Sequence, residues 1–129
     1  MDAPNIAATE DTPLVKFDSE DRSLTIRGNS FPENTFVFYK PIISWLEGYL
    51  VSDLPGVFVL NMDIGYYNSS SSKVYMNIFN LLSNKGTEGC AIVVNWYYDS
   101  EDEDAHEDGE EFRMGMESIT FNIVSKDLS

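Results

Sequence analysis

The chain has 129 residues, 22 Asp+Glu against 8 Lys+Arg, a formal charge of −14, 43% hydrophobic residues and one cysteine. That length holds a single domain whose core needs no disulfide or metal, and Cys90 alone makes no intrachain disulfide. No run approaches ~18 apolar residues, so no helix is expected to enter a membrane, and the acidity argues against unaided binding to nucleic acid or anionic lipid.

Residues 1–12 are polar without periodicity and lack the basic-then-apolar pattern of an export signal. They read as a disordered or frayed tail, ahead of a domain over residues 13–126 that is expected to be cytoplasmic. Val15 and Phe17, then Leu24 and Ile26, alternate with polar residues around the turn at residues 18–22, which predicts a hairpin. From Asn34 to Leu50 the period becomes helical: Phe38, Ile42, Trp45, Leu46, Tyr49 and Leu50 share one face. Pro41 either kinks that helix or marks its first turn. Asp53, Leu54, Pro55 and Gly56 form the break after it.

Phe58, Leu60, Met62, Ile64 and Tyr66 alternate with Asn61 and Asp63, predicting a strand. Ile92, Val94 and Trp96 repeat the pattern, as do Ile119, Phe121 and Ile123. Between the first two lies a helical stripe of Val74, Ile78, Leu81 and Leu82, stopped by Asn84, Lys85 and Gly86. A strand–helix–strand unit of this length predicts parallel neighbours. The expected fold is therefore α/β: one domain with a mixed sheet of about five strands and helices mainly on one face.

Residues 99–111 read DSEDEDAHEDGEE, nine carboxylates in thirteen positions. A calcium loop needs acidic or amide residues at alternate positions, then glycine, then glutamate at position twelve. Registers starting at Asp99 or Asp104 both fail, so the segment reads as a solvated acidic loop entering a short helix, residues 103–114, or as a docking face for a basic partner. His106 has no second histidine with which to bind a metal, and no cofactor is expected.

The most informative segment is Tyr66-Tyr67-Asn68-Ser69-Ser70-Ser71-Ser72-Lys73, which joins a strand to a helix. Asn68 or one serine suffices as a cap, and four serines exceed that need. Ser70 and Lys73 match a Ser-x-x-Lys pattern, but Lys85-Gly86-Thr87 is not the accompanying Lys-Thr-Gly, and the chain is short for a serine hydrolase. The alternative is phosphoacceptance. A hydroxyl at a helix start lies where free amides and the helix dipole stabilise an added anion, and Lys73 follows Ser69 by four and Ser70 by three. A phosphate adds about −1.5 to −2 charges at that point, enough to repel or recruit a partner.

Ser30-Phe31-Pro32-Glu33-Asn34, Phe38-Tyr39-Lys40-Pro41 with Trp45-Leu46, the asparagine–serine run and Asn95-Trp96-Tyr97-Tyr98-Asp99 together resemble the SiaC-type regulatory phosphoproteins. That family's fold is similar to the STAS domains of anti-sigma-factor antagonists. The resemblance runs from about Leu14 to Val124. It implies a bacterial, non-enzymatic partner-switching protein. A kinase of the SiaB type modifies the hydroxyl directly after the motif's asparagine, and a PP2C-type phosphatase reverses it. The unmodified form binds an effector such as a diguanylate cyclase, which links the family to cyclic-di-GMP signalling and biofilm formation. By position the acceptor is Ser69, with Ser70 and Ser71 as alternatives. Tyr67, Asn68, Ser70, Ser71 and Lys73 are the expected partner-binding residues, and Tyr66 is either a docking or a core residue. A constitutive acidic adaptor, or a small enzyme using Ser70 and Lys73, are the competing readings.

Overall fold

The computed structural model describes residues 2–51 and 56–126, so most of the break expected at residues 53–56 lies outside the described residues. The elements follow in the order β1 (Asn5–Ile6), β2 (Leu14–Asp18), β3 (Ser23–Ser30), α1 (Thr35–Tyr49), β4 (Val57–Tyr67), α2 (Ser69–Thr87), β5 (Ala91–Asp99), α3 (Glu103–Arg113) and β6 (Thr120–Lys126). The six described strands form one sheet in sequence order. β1, β2 and β3 pair antiparallel, and β3 through β6 pair parallel. The one strand beyond expectation is β1. Asn5 pairs with Lys16 and Ile6 with Val15, inside the stretch expected to fray. Two residues carry no periodicity, and only their pairing to a strand ten residues on reveals them.

The turn at residues 18–22 is closed by the Asp18 carboxylate, which accepts from the amides of Glu20 and Asp21. Arg22 takes the left-handed conformation, φ 51°. α1 runs through Pro41, which therefore lies in its second turn rather than its first. Because the strand order never reverses, parallel crossovers of the usual hand lay every helix on the same face. That face holds the core: Val15, Leu24, Ile26, Leu60, Met62 and Val94 of the sheet meet Ile42, Leu46, Ile78, Phe79 and Leu82 of the helices. α3 joins through Ala105, Gly109 and Phe112. Trp96 stands against this short helix, its ring 5.2 Å from that of Phe112 and its Nε1 donating to the Ala105 carbonyl at 3.0 Å.

The opposite face is uncovered by any described helix. Thr25, Asn61, Asn95 and Asn122 align across β3 to β6. Asn122 Nδ2 donates to Asn95 Oδ1 and Asn95 Nδ2 to Asn61 Oδ1, both at 3.0 Å, and Lys126 pairs with Asp63 beside them. The parallel arrangement brings the C-terminal ends of β3, β4 and β5, and hence the starts of all three helices, to one rim of the sheet.

Candidate functional site

Two helices begin side by side on this rim. Asn34 caps α1, its Oδ1 accepting from the Val37 amide at 3.1 Å. Asn68 caps α2, its Oδ1 accepting from the Ser71 amide at 2.9 Å while its carbonyl takes the Ser72 amide. Among the described residues those bonds leave the amides of Ser69 and Ser70 without a protein partner. Neither first turn contains an acidic residue, although the chain is acidic overall and α3 opens with Glu103 and Asp104. A cleft of about 420 Å³ lies between the two starts, lined by residues 32–36 on one side and Asn68, Ser70, Lys73 and Val74 on the other. Two positive dipole ends and the Lys73 ammonium thus bound the cleft together with one carboxylate, that of Glu33, just ahead of the α1 cap.

The four serines are not equivalent. Ser69 and Ser70 are exposed, Ser72 is half-buried, and Ser71 is fully buried. Ser71 Oγ donates to the Ser30 carbonyl at 3.0 Å and lies 2.7 Å from Ser30 Oγ. Ser30 Oγ is 2.7 Å from Tyr39 Oη, which is 2.8 Å from Tyr75 Oη. Burial pushes the Tyr39 and Tyr75 hydroxyls well above the ordinary tyrosine range. Ser71 is thus a buried structural hydroxyl, removed from the docking surface where sequence placed it. No hydrogen bond joins Ser70 to Lys73, and both side chains are exposed.

Of the two tyrosines, Tyr66 takes the exposed one of its two expected places, and Tyr67, expected on the docking surface, is drawn inward. Gly28 pairs with Ile64 but Ser30 pairs with Tyr67, so β4 carries one extra residue at its end. This bulge breaks the alternation, turning Tyr66 outward and Tyr67 toward the helices. Tyr67 is half-buried against Tyr75 and Trp96, and its hydroxyl donates to the Asp108 carboxylate of α3. Burial, then the negative charge of Asp108, raise its pKa. Tyr66 instead meets Phe31 edge-on at 5.5 Å.

Sequence reasoning missed the apolar border of the site. Phe36 is 67% exposed, Val37 64%, Tyr66 58% and Phe31 39%, so four of the seven large exposed hydrophobic residues among those described lie at the ends of β3 and β4 and the start of α1, on the rim that carries the serine run. Single exposed apolar residues are ordinary, whereas a cluster beside a polar cleft marks an interaction surface. The signal was present in Phe31 and Phe36, which flank the Pro-Glu-Asn turn, but their exposure depends on how α1 docks.

The acidic segment is α3 itself, capped by Asp102, whose Oδ1 accepts from the Ala105 amide. His106 sits 3.6 Å from Glu110 and packs near Tyr98. Among the described residues no three His, Cys, Asp or Glu side chains converge as metal ligands. No described helix is long and apolar enough to cross a membrane.

Comparison with known proteins agrees with this fold. An uncharacterized protein of Pseudomonas aeruginosa (strain UCBPP-PA14) is 33% identical over 123 residues, covering 95% of this chain and 96% of its own. The crystal structure of apo-SiaC from Pseudomonas aeruginosa superposes with a TM-score of 0.84 at 30% identity, covering 96% of this chain and 99% of that one. SiaC in its complex with the diguanylate cyclase SiaD, of which it is the activator, gives a TM-score of 0.87 at 31% identity over 95% and 99% of the two chains. The profile of the SiaC family regulatory phosphoproteins matches residues 6–126, and the chain belongs to that family.

Proposed function

We propose that this chain is a phosphorylation-controlled binding protein without catalytic activity of its own. A partner kinase of the SiaB type esterifies Ser69, a PP2C-type phosphatase removes the phosphate, and the unmodified form binds an effector, by analogy with the solved complex a diguanylate cyclase. The observation that carries this reading is the placement of Ser69: exposed, first in α2, directly after the capping Asn68, and near the Phe31, Phe36, Val37 and Tyr66 surface. A phosphate of about −2 charge on that border must be desolvated when a partner covers the apolar side chains, so modification weakens docking. The open amides of Ser69 and Ser70, with Lys73, stabilise the modified state in the free chain.

Incubation with the cognate kinase and ATP, followed by mass spectrometry, tests the assignment. Ser69 is expected to carry the phosphate, and Ser69→Glu is expected to weaken effector binding by roughly tenfold or more. Undiminished phosphorylation of a Ser69→Ala chain would remove Ser69 from the role.

The exposed carboxylates of α3 favour the adaptor as a second reading. Deleting residues 101–108 would not test it, because Ala105 and Trp96 hold that helix in the core. Neutralising Glu103 and Glu107 at the surface does. Loss of effector binding in that variant, with Ser69→Glu binding normally, would favour the adaptor.

A further inference from the structure

Four identical residues open α2, and the run alone does not say which serine turns inward. Advancing the first turn by one residue rotates every side chain by about 100° and exchanges an inward serine for an outward one. Tyr75, Ile78, Phe79 and Leu82 set the rotation of the body of α2, and Ser71 carries that buried face into the first turn, where a hydroxyl takes the place of apolar packing. A hydroxyl has one proton, and Ser71 gives its own to the Ser30 carbonyl, which also accepts from the Asn68 amide at 3.1 Å. Ser71 Oγ must then accept from Ser30 Oγ, Ser30 from Tyr39, and Tyr39 from Tyr75, so the whole buried chain has one direction. Ser71 and Tyr75 lie four apart on one face of α2 and grip the two ends of this chain, whose middle members belong to β3 and α1. A serine other than Ser71 at the inward position would leave Ser30 and Tyr75 without their geometry in a dry site.

We propose that the Ser71 hydroxyl is a positioning group that fixes the rotational register of the serine run, and thereby selects Ser69 as the acceptor. This rests on the phosphoacceptor reading above. Asn68 sets where α2 begins, and Ser71 sets which way its first turn faces.

The test compares the intact chain with Ser71→Ala, Ser71→Cys and Tyr75→Phe. Each is treated with the cognate kinase and ATP for site mapping, and each unmodified chain is followed by amide hydrogen exchange over residues 68–72. The intact chain is expected to carry phosphate on Ser69. In Ser71→Ala more than about a tenth of the phosphate should move to Ser70 or Ser72, so that the preference for Ser69 falls below about tenfold. Its first-turn amides should exchange about tenfold faster. Ser71→Cys keeps the shape but donates weakly, so it should lie between, and it carries the test where the alanine variant does not fold. Tyr75→Phe removes only the far donor and should keep Ser69 selectivity despite its lower stability. Folded Ser71→Ala or Ser71→Cys with unchanged site distribution and unchanged exchange would overturn the proposal. An intact chain modified at no serine of the run would instead overturn the switch reading, while the exchange rates still decide whether Ser71 holds the register.

Discussion

Tyr39 and Tyr75 bring hydroxyls into a part of the core with no exposed surface, and both resist ionisation there, chiefly through desolvation. In the unfolded chain they ionise near the ordinary value of 10.0, whereas in the folded chain they do so only above it. Above that pH the unfolded state therefore holds fewer protons and folding stability falls as pH rises. The loss is on the order of 1 kcal/mol per tyrosine per pH unit. Urea midpoints measured from pH 9 to 11 should drop steeply, and Tyr75→Phe should reduce that slope; a flat profile would contradict the buried hydroxyl chain. Gly109 supports a second residue-scale prediction. A Cβ there would stand 2.6 Å from Trp96 Cδ1, so α3 must lift from the sheet to accept alanine. Alanine is the better helix former by about 1 kcal/mol, yet the displaced packing should cost about 1–3 kcal/mol. Denaturant unfolding of Gly109→Ala should show net destabilisation, and an unchanged or higher midpoint would mean that the helix moves freely.

At the level of elements, the cap of α2 should matter more than any one exposed serine. Asn68→Ala removes the acceptor for the Ser71 amide and is expected to cost about 1 kcal/mol, whereas Ser70→Ala should change stability by less than about 0.5 kcal/mol. Equal midpoints for the two variants would argue that the helix start is held by the Ser71 grip alone. The cap was legible in the sequence because capping is local: an asparagine before a polar helical run needs no tertiary information. The same holds for the hairpin, for α3 and for the helical stripe through Ile42, Trp45, Leu46 and Leu50. Tyr39 and Tyr75 were not legible as core. Their burial depends on hydroxyl partners contributed by β3 and by each other, which periodicity does not register. The places of Tyr66 and Tyr67 were hidden for a related reason, since a bulge is a property of a strand pair and alternation within β4 predicts the opposite arrangement. β1 was hidden by its length.

For the whole molecule, charge and topology act together. The chain carries −14, and the rim that offers Ser69 also carries the start of α3, with Asp102, Glu103 and Asp104. Asp102 and Asp104 bear electrostatically on Tyr67, two residues before Ser69. The uncovered sheet face is more balanced: Lys16, Arg27 and Lys126 lie on it beside the asparagine ladder, with Asp63 paired to Lys126. Basic partners are therefore expected to approach the rim, and effector affinity should fall as salt rises. Neutralising Glu103 and Glu107 together should flatten that salt dependence in a binding titration without shifting the thermal midpoint by more than a few degrees. A salt response unchanged by the double variant would place the attraction elsewhere. Crowding the helix starts onto a single edge has a kinetic consequence. On the proposed switch, the enzyme that adds the ester and the one that hydrolyses it would both traverse the same negative field to reach one alcohol. Because the ester itself adds about −2 charges, the two encounters would respond differently to ionic strength, and salt would shift the steady-state ratio of modified to free protein as well as the time needed to reach it.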